Sequence, residues 1–229
     1  MMHNNTSRIT AIVKILRQAT KTLKTPSVTM VGKKCGSPFL VLISCLLSLR
    51  TKDEVTLKAS QQLFGLATTP REMLALSVAT IEKTIYPVGF YKTKARRIKG
   101  ICRSLLAEFG GRVPDTIDEL LTLKGVGRKT ANLVMTEGYG KAGVCVDTHV
   151  HRISNRIGLV KTKSPEQTEK SLMQLLPKDK WLDINEVFVK HGQQVCLPIK
   201  PRCQICPVSR YCNYYKTVFK PSVTSKANK

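Results

Sequence analysis

Four cysteines fall within seventeen residues near the end of the chain: Cys196, Cys203, Cys206 and Cys212, spaced C-x6-C-x2-C-x5-C. The stretch is too short and too rich in proline to hold a core of its own, so its thiols must bridge or bind something. Disulfides need an oxidising compartment. Residues 1–17 hold no apolar core ahead of a small-residue cleavage site, so nothing there reads as a signal peptide. The expected location is cytoplasmic, beside the nucleoid if the source is prokaryotic. Cys35, Cys45, Cys102 and Cys145 stand singly in apolar or mixed stretches and read as ordinary buried thiols. Metal binding is therefore favoured over bridging. Structural zinc sites often pair two C-x2-C knuckles, and only one such pair is present. The uneven spacing suits a [4Fe–4S] cluster held by four cysteines. Zinc remains the alternative at this point.

Charge is the second constraint. Against 38 Lys and Arg stand 15 Asp and Glu, a net charge of +23. A heat-adapted surface would raise Glu together with Lys, and acids are scarce here. Such an excess, spread through 229 residues rather than gathered in a tail, implies a polyanionic partner, nucleic acid first. The longest apolar run, residues 38–49, is too short and interrupted to span a bilayer, so no membrane is expected.

Periodicity predicts an all-α fold of about ten short helices. Ile9, Ile12, Val13, Leu16 and Leu23 recur at roughly helical spacing. Residues 38–49 read as a buried helix, and residues 53–65 as the next. Thr69-Pro70 looks like a helix start. Further helices are expected over 79–86, 92–109, 114–123, 128–137, 148–157, 165–176 and 181–192. No run alternates long enough to be a strand. Residues 213–229 read as a basic, flexible tail.

Three short stretches carry candidate chemistry. In Leu123-Lys124-Gly125-Val126-Gly127-Arg128-Lys129, two glycines turn the chain between two helices and leave N–H groups uncovered at a helix start, where the dipole favours an anion. The plain alternative is an ordinary helical hairpin. Lys129, in the first turn, runs against the dipole, which repels cations there by ~0.3–1 kcal/mol. It is a candidate nucleophile; a solvated phosphate contact is the alternative, and Arg128 suits that role. Asp147, in Val146-Asp147-Thr148-His149, has the look of an N-cap, which does not prevent its carboxylate from facing a cleft. His149 and His151 are wrongly spaced for two ligands on one helix face and read as structural.

Together, Leu-x-Gly-Val-Gly-Arg-Lys-Thr-Ala, Val-Asp-Thr-His and the cysteine pattern resemble the endonuclease III family of DNA glycosylases, members of the helix-hairpin-helix, Gly/Pro-rich, aspartate superfamily. The resemblance runs from about Ile9 to Cys212. It implies a six-helix barrel over residues 28–139 and a second helical lobe of residues 1–27 and 140–212. DNA would lie in the groove between them. It implies a [4Fe–4S] cluster on the four cysteines, Lys129 as nucleophile and Asp147 as catalytic aspartate. Relatives that excise mismatched adenine or thymine carry other residues at the lysine position. A lysine there implies a bifunctional glycosylase and lyase. The expected partner is double-stranded DNA with oxidised pyrimidines or abasic sites, and the expected state is a monomer. The competing classes are a monofunctional mismatch glycosylase and a non-catalytic DNA-binding module.

A damaged base must leave the stack before it is cut, and the gap must be filled. Arg50 stands where bacterial members often have Gln, at the space vacated by the flipped base. Phe90, beside Gly89, is the candidate wedge, with a core aromatic as its alternative. Lys124 replaces a usual Pro in the hairpin. Lys200 and Arg202, in the loop between the first two cluster cysteines, are candidate phosphate contacts or simply a solvated loop.

Overall fold

The structure, a computed structural model, describes residues 2–219, with side chains from Thr6 onward. All regular structure among these residues is helical. The chain opens with α1 (Met2–Ala19), α2 (Ser27–Cys35), α3 (Pro38–Ser48) and α4 (Asp53–Phe64). It continues with α5 (Pro70–Ala75), α6 (Val78–Ile85), α7 (Tyr91–Glu108), α8 (Ile117–Thr122) and α9 (Arg128–Leu133). Then come α10 (Thr148–Ile157), α11 (Pro165–Leu175) and α12 (Trp181–Gln194). Two compact units result: Thr25–Gly143, and residues 1–24 with the chain from Val144 on.

The first unit is organised on α3. Every residue from 39 to 47 is buried, which follows from a sequence apolar on all sides. Ser37 caps it, accepting from the Leu40 N–H, and Pro38 fills its first turn. α2, α4, α7 and α9 pack around it. At α5 the expected start is a full capping box, Thr69 and Glu72 each taking the other's backbone N–H. Three sequence expectations need correction. α2 is an additional helix that periodicity does not signal, because its N-cap is Pro26, which offers no side-chain cap. Its cap comes from Asp53, which takes the Ser27 N–H at 2.9 Å and the Ser27 hydroxyl at 2.7 Å. Cys35 is exposed, not buried, since it is the last residue of α2. α8 begins at Ile117 rather than at Pro114, because Thr116 supplies the cap.

In the second unit, Ile9, Ile12, Val13 and Leu16 of α1 pack with Val150, Ile153 and Ile157 of α10 and with Ile184 and Phe188 of α12. Leu23 is not part of that stripe, because the helix stops at Ala19. Residues 213–219, read as tail from sequence, continue as a helical turn (Tyr215–Phe219) whose Tyr215 and Phe219 rings stack at 5.4 Å. Residues 220–229 lie outside the described residues. Among the described residues no helix is long and apolar enough to cross a membrane.

Candidate functional site

The hairpin joins α8 to α9 as its glycines suggest. Gly125 has φ +90°, a left-handed conformation that favours glycine. Val126 tucks inward and donates its N–H to Leu123 O at 2.9 Å. Gly127 is different: its φ of −100° suits any residue, and a Cβ there would meet no atom within 4 Å. It serves as N-cap of α9 without a side-chain cap. Arg128 and Lys129, the first two residues of α9, are exposed. Lys129 also acts inward. Burial pushes the Cys45 thiol in α3 up to about 12, and the Lys129 charge pulls it back while Glu137 adds to the rise. α9 runs on into a π-helical turn, Val134–Gly138. There a Cβ on Gly32 would stand 2.6 Å from Glu137 O, so α2 and this turn approach as closely as backbones can.

In the other unit, Asp147 is the N-cap of α10. Its Oδ1 accepts from His149 N at 2.8 Å and Val150 N at 2.9 Å, and the residue is buried. The same helix holds the cysteine loop. Arg152 donates to Cys196 O through Nε (3.2 Å) and Nη2 (2.9 Å). Arg156 donates to Leu197 O at 2.6 Å and Pro198 O at 2.7 Å, with its Nη1 3.5 Å from Cys196 Sγ. Both histidines of this helix have partners within it or beside it: Arg152 Nη2 lies 3.0 Å from His149 Nδ1, and His151 Nδ1 lies 2.7 Å from the Thr168 hydroxyl.

Cys196, Cys203, Cys206 and Cys212 line one cavity, walled by Ile153, Val195 and Val208 and by Tyr214 and Tyr215. No three His, Cys, Asp or Glu among the described residues group closely enough to hold a single ion. Burial raises the Cys206 thiol to about 11 and also raises Cys203 and Cys212, and the neighbouring cysteines push each of them up further. His191, buried beside Arg152, is pushed down to about 4, and its Nε2 lies 3.7 Å from Cys206 Sγ. Lys200 and Arg202 are exposed at the loop's outer edge, Lys200 with φ +50°.

Arg50 and Phe90, forty residues apart in sequence, are brought together. The Arg50 guanidinium carbon stands 5.8 Å from the centre of the Phe90 ring. Phe90 is 62% exposed, so it is not a core aromatic. Both residues have positive φ, 52° and 57°, which costs energy in a non-glycine residue. The surroundings impose it. A Cβ on Gly89 would lie 2.5 Å from Arg50 O, and the Gly89 N–H donates to the Thr51 hydroxyl. Beneath both loops lies Lys94, buried in α7. Its ammonium donates to Leu47 O at 2.8 Å, Leu49 O at 2.6 Å and the Thr51 hydroxyl at 3.1 Å. Burial, then the charge of Arg97, lowers it to about 8.

Residues 43–178 match the HhH-GPD superfamily of base excision DNA repair proteins. Endonuclease III of Thermotoga maritima is 47% identical over 192 residues, covering 84% of this chain and 90% of that protein. Endonuclease III-like protein 1 of Bos taurus is 44% identical over 171 residues, 73% of this chain and 56% of its own length. This chain thus spans about half of that longer relative. Among solved structures, a trapped endonuclease III–DNA covalent intermediate with an estranged adenine superposes with a TM-score of 0.80. It is 31% identical and covers 92% of this chain and 97% of its own. A non-covalent endonuclease III–DNA complex gives 0.81 at 30% identity, covering 94% and 99%.

The chain belongs to the endonuclease III family of the HhH-GPD superfamily. It is a base excision repair DNA glycosylase. The segment that matches the superfamily holds Arg50, Phe90, the hairpin, Lys129 and Asp147 but ends before the cysteines. For an endonuclease III family member, the residues that sequence reading missed are the ones that hold others in place. Arg152 and Arg156 grip the cysteine loop from forty residues away. Lys94 is visible as a lone lysine in the apolar stripe Lys94, Ile98, Ile101, Leu105 of α7, but its acceptors lie more than forty residues back.

Proposed function

We propose that the protein is a bifunctional glycosylase and abasic-site lyase that removes oxidised pyrimidines from duplex DNA as a monomer, in the compartment that houses that DNA. The observation that carries this reading is Lys129: an exposed lysine in the first turn of an uncapped helix, directly after the Gly-x-Gly turn. The hairpin N–H groups would take a backbone phosphate, with Arg128 beside them. Arg50 and Phe90 would occupy the gap left by the flipped base, and Lys200 and Arg202 would contact phosphate.

The free amine of Lys129 attacks C1′ of the deoxyribose, and the C1′–N bond to the base breaks as the base leaves with the electron pair and a proton. The amine gives up its proton, the sugar ring opens, and a Schiff base joins Lys129 to C1′. Loss of a proton from C2′ then expels the 3′ phosphate. The Asp147 carboxylate stabilises the positive charge that builds on the sugar. Duplex carrying an oxidised pyrimidine, incubated with protein and borohydride, should yield a covalent protein–DNA complex and a strand nick. Base release without trapping would make the protein monofunctional; binding without release would make it a docking module.

We also propose that Cys196, Cys203, Cys206 and Cys212 hold a [4Fe–4S] cluster. The donor set fits: four thiols and no carboxylate, standing around a cavity rather than drawn in on one point, with Arg156 to offset negative charge. When bound, the cluster would fix the loop that carries Lys200 and Arg202. Purified protein should contain about four irons per chain; colourless protein with one zinc per chain would reverse the assignment.

A further inference from the structure

One concave face of α7 has no part in that scheme. Thr93, Arg96, Arg97, Gly100 and Ser104 line it, and Lys124 faces them from the hairpin turn. The α7 positions recur every three or four residues and so share one side of the helix. Arg97 lies against the turn itself: a Cβ on Gly125 would stand 2.5 Å from its Cδ and Nε. Arg96, Arg97 and Lys124 are exposed, and none is seen to pair with another described residue. No acidic side chain lines the groove. Like charges gathered without a counter-charge repel one another, and a bound anion removes that repulsion.

Gly100 is the second, independent observation. It sits in the middle of α7, where glycine weakens a helix relative to alanine. Its φ is not positive, and a Cβ there would meet no atom within 4 Å. Neither a turn nor packing requires it. Bare backbone between the arginines does allow an outside group to come close. Arg is also the side chain best shaped to fork onto a phosphate.

We propose that this groove binds a backbone phosphate of duplex DNA, a contact separate from that of the hairpin N–H groups. The proposal rests on the DNA-repair reading above. Binding to undamaged duplex, measured by fluorescence anisotropy across a salt series, tests it in wild type, Arg96→Glu/Arg97→Glu and Gly100→Leu. The double variant should bind about tenfold more weakly, with a salt slope shallower by at least about 0.9, the share of one phosphate. Gly100→Leu keeps every charge and should raise the melting midpoint while weakening binding, a pair of changes that misfolding cannot produce. An unchanged slope in the double variant, or unchanged affinity in a stabilised Gly100→Leu, overturns the groove. Displacement of duplex by inorganic phosphate beyond the effect of matched ionic strength, abolished in the double variant, would make it a free-anion site and overturn the DNA assignment. Wild type that traps damaged duplex while the variants bind normally sinks the groove alone. Wild type that neither binds nor traps sinks both readings.

Discussion

α9 and α10 begin twenty residues apart in sequence and are started in opposite ways. α10 has a buried Asp147 that satisfies two of its free N–H groups. A carboxylate at that end also suits the helix dipole. α9 has Gly127, no side-chain cap, and two cations in its first two positions. By the rules of helix stability α10 is well made and α9 is badly made. Nothing in the packing forces the second choice, since a side chain at position 127 would meet open space. The difference teaches that α9 keeps a start that helix stability alone would not select, which sets it apart from α10. α10 has the stable kind of start, with Asp147 Oδ1 taking both N–H groups, and the catalytic role proposed for that carboxylate would be added to its capping role.

Lys129→Gln attacks the badly made start and should have the largest effect. The borohydride-trapped complex and the nick should disappear, while damaged duplex still binds within about tenfold, or ~1.4 kcal/mol. A variant that still traps would move the nucleophile elsewhere and leave α9 as merely a poor helix start. Asp147→Asn attacks the well-made one. Both N–H bonds fall on Oδ1, and an amide oxygen can accept them equally, so the melting midpoint should hardly move. Turnover should fall by about 10²–10³, the usual cost of losing one group aimed at developing charge. If stability fell and single-turnover rates did not, Asp147 would be a cap and nothing else.

Both starts were legible in the sequence because their chemistry is local: Gly125 to Lys129 and Asp147 to Val150 are each contained in one short stretch. The cysteine pattern was legible for the same reason. α2 was not, since its cap arrives from Asp53. Arg50 and Phe90 could be named one by one, but their meeting depends on Gly89 and on Lys94, whose three acceptors come from a different helix and the loop after it. The grip of Arg152 and Arg156 on the cysteine loop is long-range in the same way. Periodicity reports which face is buried; it does not report which backbone oxygen, forty residues off, needs a donor.

Lys94 sharpens the comparison from the other helix end. It places a cation on the last carbonyls of α3, where the dipole favours one. Lys94→Met keeps the stem and removes the donor, leaving carbonyl oxygens unsatisfied. We expect a loss of about 2 kcal/mol and looser placement of Arg50 and Phe90. The pH dependence has a definite sign. The fold lowers this lysine from 10.5 to about 8, so between those values the unfolded chain binds the extra proton and the folded chain does not. Its contribution to stability should therefore rise with pH across that window. Urea titrations of wild type and Lys94→Met at pH 7.5 and 10 should diverge in favour of wild type at the higher pH; parallel changes would show that Lys94 keeps its proton throughout.

The smallest effect is the most direct test of the comparison. Gly127→Ser gives α9 the kind of cap that it lacks. The backbone at 127 is already extended, as an N-cap should be, and there is room for the side chain. Serine in place of glycine at such a site is worth a few tenths of a kcal/mol, so the melting midpoint should rise slightly. The new hydroxyl would sit on the very N–H groups proposed to receive a phosphate, and duplex affinity should fall even though no charge has changed. The salt slope should become shallower by about 0.9, the share of one phosphate. A rise in stability with affinity and slope intact would mean that the open start of α9 is not kept open for DNA. The contrast with α10 would then reflect drift at a tolerant position and not a division of labour between the two helices.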